Sequence, residues 1–358
     1  PSFFSGLILA TTSPMVFVHG ARSGDLSPIF TFLVLLFIIG LLESEKEVRF
    51  LYFTGFVFAM AFLVYSFAAF QLAILALVYG WATGIHKRFS PWNFFISFLC
   101  AFLPVTAWVV WRLLNAEGWD FLKGMVSYDL IKRSSQSLEG HVGGLDYYLT
   151  AMAKGNPFWF TFVAVVLLSF MAVAGFKLTG KDRLLTLSGL GVLVPLTLFS
   201  LARTKLGWYT IPIHPPFAIA AGCLTWGLLN DRRCQAAAKV VVLILFLVAG
   251  LRSEREIQKQ IQHPAQEASQ NLLNDFRKTS CPPGTTLYAK GWTHAPFFVA
   301  EVVCGLNPVS VNDLKECLGR PGYLMLEKAK ESSETQNFAA RNKLPIVVQN
   351  DDWMIVKL

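Results

Sequence analysis

Three short polar stretches hold the groups able to do chemistry in an otherwise apolar chain. HGARSGDLSP (19–28) carries His19, Arg22 and Asp25, and YDLIKRSSQSLEGHVGGLDYYL (128–149) carries Arg133 and His141. LARTKLGWYTIPIHPP (201–216) carries Arg203, Lys205 and Tyr209. Guanidinium and ammonium groups stabilise the negative charge that develops on a departing phosphate. A carboxylate such as Asp25 can take a proton from an attacking hydroxyl. An imidazole at neutral pH can be a general base, a metal ligand or a plain hydrogen-bonding loop residue, and His141 is open to all three. Any one of these cations reads equally well as an ordinary loop residue. Their recurrence in separate polar segments points to a shared anion site.

The elements that must position these groups are membrane helices. Hydrophobic residues make up 54% of the chain and charged residues only 15%. Soluble domains carry about 25% charge, and the mean hydropathy is +0.49, so the chain reads as an integral membrane protein. The net charge of +8 fits basic cytoplasmic loops, and no nucleic-acid motif accompanies it. A span needs roughly 20 mostly apolar residues. Stretches 3–18, 26–43, 49–65, 67–84, 92–114, 157–176, 184–202, 208–229 and 236–252 qualify, about nine spans. The tight gap at Ser66 also allows the third and fourth to form one broken hairpin.

Alternate loops, 43–49, 84–91, 176–184 and 230–239, are short and carry Lys and Arg, the first diluted by three glutamates, which assigns them to the cytoplasm. The three polar stretches then all face the other side. Span interiors carry almost no ionisable residues, unlike the buried charges of many transporters. The charges gather at the outer span ends, as a site at the membrane surface requires.

Residues 115–156 form a long outer segment, and loops of that length are usually functional or disordered. Its aromatic residues, Tyr128, Tyr147 and Tyr148, argue against disorder. From 253 onward the chain turns polar, with helical periodicity at first. Strand-like runs follow at 286–290, 308–312, 323–327, 345–349 and 353–358, with helical stretches at 294–303 and 312–318. That alternation predicts a small α/β domain over 253–358, after a membrane region over 1–252. Cys304 with Cys317 is the favoured disulfide if one forms outside the cytoplasm. There is no Walker loop, no GxGxxG, no GxSxG elbow and no zinc-ligand spacing.

The order LILATTSPMVFVHGARSGDLSPIFTFLVLLF (7–37), LIKRSSQSLEGHVGGLDYYL (130–149) and LARTKLGWYTIPIHPPFAIAAG (201–222) resembles the membrane glycosyltransferases of the aminoarabinose-transferase and protein O-mannosyltransferase type. The resemblance implies a GT-C fold: a mainly α, polytopic helical membrane protein with a small extracytoplasmic α/β domain at its C-terminus. It implies inverting transfer of a sugar from a polyprenyl-phosphate carrier to an acceptor hydroxyl, on a lipid such as lipid A, a glycan or a protein. The site would lie on the extracytoplasmic face of a bacterial inner membrane. Asp25 matches an acidic position of the family and takes a supporting catalytic role, Lys205 and Tyr209 match a segment that faces the carrier phosphate, and His141 matches an outer-loop position near the active site. The charge pattern adds Arg22 as a catalytic cation and Arg133 and Arg203 as substrate-binding ones, with His19 beside them. A divalent metal is conceivable, with His141 as its candidate ligand.

Two departures matter. Val64 and Tyr65 stand where many relatives have a Thr-Lys pair. The family's principal carboxylate, in an Asp-Glu pair on the first outer loop, belongs upstream of every matched segment. The chain opens on Pro1 and enters a span at once, without a signal-peptide pattern. The expectation is an N-terminally incomplete chain that is inactive alone. The rival reading is a non-enzymatic polytopic protein, a transporter fragment or a scaffold for envelope assembly, whose outer cations are interfacial anchors.

Overall fold

The computed structural model describes residues 1–16, 26–115, 118–136, 142–174, 183–262, 268–279, 283–290, 294–328 and 334–358. They fall into two compact units, Pro1–Lys259 and Gln260–Leu358.

The first unit is helical. Its α-helices are α1 (Ser2–Ala10), α2 (Ser13–Val16), α3 (Ser27–Ser44), α4 (Arg49–Tyr65), α5 (Phe70–Thr83), α6 (Pro91–Asn115), α7 (Gly118–Gly124), α8 (Arg133–Ser135), α9 (Tyr147–Gly155), α10 (Pro157–Ala174), α11 (Arg183–Leu201) and α12 (His214–Asn230). The last, α13, runs Ala236–Gln262. In hydrocarbon a backbone must satisfy its own polar groups, so uniformly apolar stretches become helices. Helical residues occupy all nine expected spans. By length and hydropathy five helical stretches among the described residues can cross a membrane, 49–83 counting as one, or six if α9 and α10 form one bent span.

The breaks account for the difference from nine. Thr11 and Thr12 return their hydroxyls to the carbonyls of Leu7 and Ile8 and end α1. Ser66, at φ 51°, separates α4 from α5. Asn156 stands at a 109° bend between α9 and α10, where its Oδ1 accepts the Ser13 N–H at 3.1 Å. Between α11 and α12 lies a 3-10 segment, Gly207–Ile213.

One apolar core joins α3, α4, α5 and α11 around Phe30, Phe37, Leu72 and Leu187. A second joins α1, α10, α12 and α13 around Trp159 and Phe246. Close helix approach uses glycine: a Cβ at Gly55 would lie 2.2 Å from the Ser97 carbonyl oxygen of α6.

The second unit contains α14 (Ala268–Lys278), β1 (Thr286–Lys290), α15 (His294–Phe298), β2 (Asn307–Val311), β3 (Tyr323–Glu327), α16 (Glu334–Arg341), β4 (Ile346–Gln349) and β5 (Trp353–Lys357). All five expected strands are present. The sheet order is β2-β1-β3-β5-β4, with β1 parallel to β2 and β3, and β5 antiparallel to β3 and β4. Alternate strand residues feed two cores, one on each face. Cys304 packs with the Leu287–Met325–Ile355 face and Cys317 is buried in the Tyr288–Leu324–Val356 face. The sheet stands between them, which rules out the expected Cys304–Cys317 pairing. Cys281 lies outside the described residues.

Candidate functional site

The second and third polar stretches meet in the fold. The turn 202–206 leaves the end of α11 and is held from two sides. The Arg203 N–H donates to the Ser134 carbonyl at 3.1 Å, and the Thr204 hydroxyl donates to the Gln136 carbonyl at 2.7 Å. On the other side the Leu206 N–H donates to the Tyr148 hydroxyl oxygen at 3.1 Å. Gly143 lets the 142–148 segment come close: a Cβ there would lie 2.5 Å from the Tyr147 ring and 3.1 Å from Lys205 Cγ.

Lys205 is 3% exposed. Its Nζ donates to the carbonyls of Phe199, Ser200 and Ala202 at 3.1, 2.5 and 2.7 Å. These are orphan acceptors at the C-terminus of α11, where a cation is favoured. The ammonium also sits 5.6 Å from the Tyr148 ring centroid. Burial pulls its pKa below the ordinary lysine value. An ammonium has three donors, and all three are engaged on the backbone here. Arg203, two residues earlier, is exposed, and its guanidinium makes no hydrogen bond among the described residues.

Aromatic rings extend the site. Tyr148 lies 6.0 Å from Phe199, Phe199 4.8 Å from Tyr209, and Tyr209 6.4 Å from Tyr65. Tyr65 stacks on Phe30 at 4.9 Å and shares a 2.7 Å hydrogen bond with Ser27 at the start of α3. The Tyr65 phenol completes a ring cluster and binds a hydroxyl.

The proline-rich start of α12 explains how the third stretch is anchored. A Cβ at Gly191 would lie 3.0 Å from Pro216 Cβ. Gly191 is ten residues before the end of α11, so α12 begins about 15 Å along it. A helix start that deep would leave backbone donors unsatisfied. Pro215 and Pro216, at its first positions, have none to lose.

Of the residues singled out by sequence, the structure brings Arg203, Lys205 and Tyr209 together and ties their turn to α8, the helix that begins at Arg133. His19, Arg22, Asp25 and His141 lie outside the described residues, as does the side chain of Arg133. Sequence reasoning overlooked Ser27, Ser134 and Thr204, whose contribution is a single hydroxyl or carbonyl each. Tyr148 was visible only as half of a tyrosine pair. Among the described residues no three His, Cys, Asp or Glu side chains gather to hold a metal ion.

No family model matches the sequence, and no curated protein matches it. The fold does match solved structures. ArnT from Cupriavidus metallidurans bound to undecaprenyl phosphate is similar with a TM-score of 0.60 and 14% identity, over 99% of this chain and 78% of that one. ArnT from the same organism in the apo state gives 0.59 and 12% over the same shares. The chain therefore has a GT-C-like fold: a mainly α, polytopic integral membrane protein with a small C-terminal domain.

Proposed function

We propose that this protein transfers a sugar from a polyprenyl-phosphate carrier to an acceptor hydroxyl at the extracytoplasmic face of a bacterial inner membrane, with inversion at the anomeric carbon. The observation that carries this reading is the fold match to ArnT, which extends to a structure of that protein bound to undecaprenyl phosphate. The cationic turn 203–205, set at one end of the helices, supports it. The acceptor oxygen attacks the anomeric carbon as the carrier's phosphate leaves. One carboxylate takes the acceptor proton, and cations stabilise the departing charge. A single displacement needs one base, not the paired carboxylates of retaining hydrolysis.

In this reading Arg203 faces the phosphate, with Arg22 and Arg133 as further cations. Lys205 holds the turn that presents Arg203, and Tyr209 walls the site. Asp25 supports the chemistry, and His19 and His141 bind substrate. The acceptor is a lipid, a glycan or a protein. The test is transfer of label from radiolabelled polyprenyl-phosphate sugars by the complete reading frame expressed in membranes. The expected result is a labelled acceptor of inverted anomeric configuration. Folded protein that binds no polyprenyl phosphate and releases no sugar from any such donor overturns the reading.

A further inference from the structure

A cleft of about 930 Å³ opens between α4, α5 and α6, and no residue of the turn 202–206 lines it. α6 packs on α4 through Gly55 and Ser97, whose hydroxyl donates to the Leu51 carbonyl at 2.9 Å. The space between α6 and α5 is left open, and the walls are almost wholly aromatic and aliphatic. Its size lies at the upper end of the roughly 300–1,000 Å³ typical of small-molecule sites.

Depth decides what fits. The lining residues run from Leu51 to Phe62 on α4, from Phe70 to Trp81 on α5 and from Phe94 to Val105 on α6. Each run covers about 16 Å of helix, about half of a hydrocarbon core roughly 30 Å thick. The far end is closed at the α4–α5 break by Phe62, Phe67 and Phe70, whose ring centroids lie 5.8 to 6.1 Å apart. A cleft about 16 Å long that ends at the α4–α5 turn holds acyl chains and leaves no passage for a chain that threads the bilayer.

The mouth lies at Ser44, Tyr79 and His86. Beside it the short turn Ile85–Arg88 exposes His86, Lys87 and Arg88. Other charges there are largely spoken for. Lys46 pairs with Glu43, Arg49 with Glu47, and Glu45 accepts from both Tyr79 and Arg183. Arg88 reaches only the Glu45 backbone carbonyl, at 3.4 Å, which leaves its charge and that of Lys87 uncompensated. Such a mouth favours an anionic headgroup.

We infer that this cleft is a binding site for one anionic diacyl phospholipid, its chains between α5 and α6 and its phosphate on Lys87 and Arg88. The site is separate from the proposed sugar-carrier site, and its test does not depend on transfer activity. The protein is purified in detergent, mixed with equal phosphatidylglycerol and phosphatidylcholine, and examined by native mass spectrometry. One phosphatidylglycerol per chain should survive activation that strips phosphatidylcholine. Lys87→Gln and Arg88→Gln should each lower that preference roughly fivefold without lowering the melting temperature. Ala101→Trp, which fills the cleft from α6, should abolish retention of both lipids. Equal retention of the two lipids overturns the proposal, as does undiminished retention in Ala101→Trp or a second copy of the chain bound in place of lipid. If Ala101→Trp does not fold, the two surface variants decide.

Discussion

At the scale of single residues, the two cations of the 203–205 turn divide their labour by burial. Lys205 spends its donors on three carbonyls at the end of α11. Lys205→Met strands those acceptors and should cost roughly 2–3 kcal/mol or more of stability. A lowered melting temperature with or without a polyprenyl phosphate present checks it; an unchanged one would show that the carbonyls find other donors. Arg203 is exposed, so Arg203→Ala should change stability by no more than about 0.5 kcal/mol. It should weaken polyprenyl-phosphate binding about tenfold, the worth of one charge-assisted hydrogen bond. Fluorescence titration with the carrier measures that loss, and unaltered affinity would remove Arg203 from the site. Sequence alone marked both residues as cations in an outer loop. It held no sign that one is buried, because burial depends on Tyr148 and Gly143, which are distant in the chain.

At the scale of elements, apolar run length made the helices legible, since a lipid-facing backbone has no other way to satisfy its polar groups. Interruptions were not legible in the same way. The end of α1, the bend at Asn156 and the deep start of α12 each rest on one or two polar or proline residues acting on a particular backbone group. Such residues leave a hydropathy profile almost unchanged. The strands of the second unit were readable because each is a short apolar run bounded by turn residues. α16 was not expected, since its few apolar residues barely rise above the polar sequence around them. Helix contacts are also set by small residues that composition does not reveal. Gly55→Leu must push α6 away from the Ser97 carbonyl, and overpacking of this kind costs about 1–3 kcal/mol. Gly189→Ala is the control, because a Cβ there meets nothing within 4 Å. Thermal unfolding in detergent should separate the two, and equal melting temperatures would mean that the α4–α6 contact yields freely.

At the scale of the whole membrane unit, the hydrogen bonds sort the loops into the two sets expected from charge. Glu45 of one loop meets Arg183 at the start of α11 and Arg88 of the turn before α6. At the other helix ends, Ser27 meets Tyr65, the 202–206 turn meets α8 and Tyr148, and Tyr65 lies against Tyr209. In these contacts each set meets its own members, as alternating spans require. Which end faces the cytoplasm is the remaining step, and the positive-inside rule gives it to the set with Lys46, Lys87 and Arg88. In a background cleared of its native cysteines, Leu145→Cys and Arg203→Cys should then react with a membrane-impermeant maleimide in intact cells. Lys46→Cys and Lys87→Cys, equally exposed in the fold, should react only after the membrane is opened. The reverse pattern would turn the protein over in the membrane. The cationic turn would then face the cytoplasm, and sugar transfer outside the cell could not use this site.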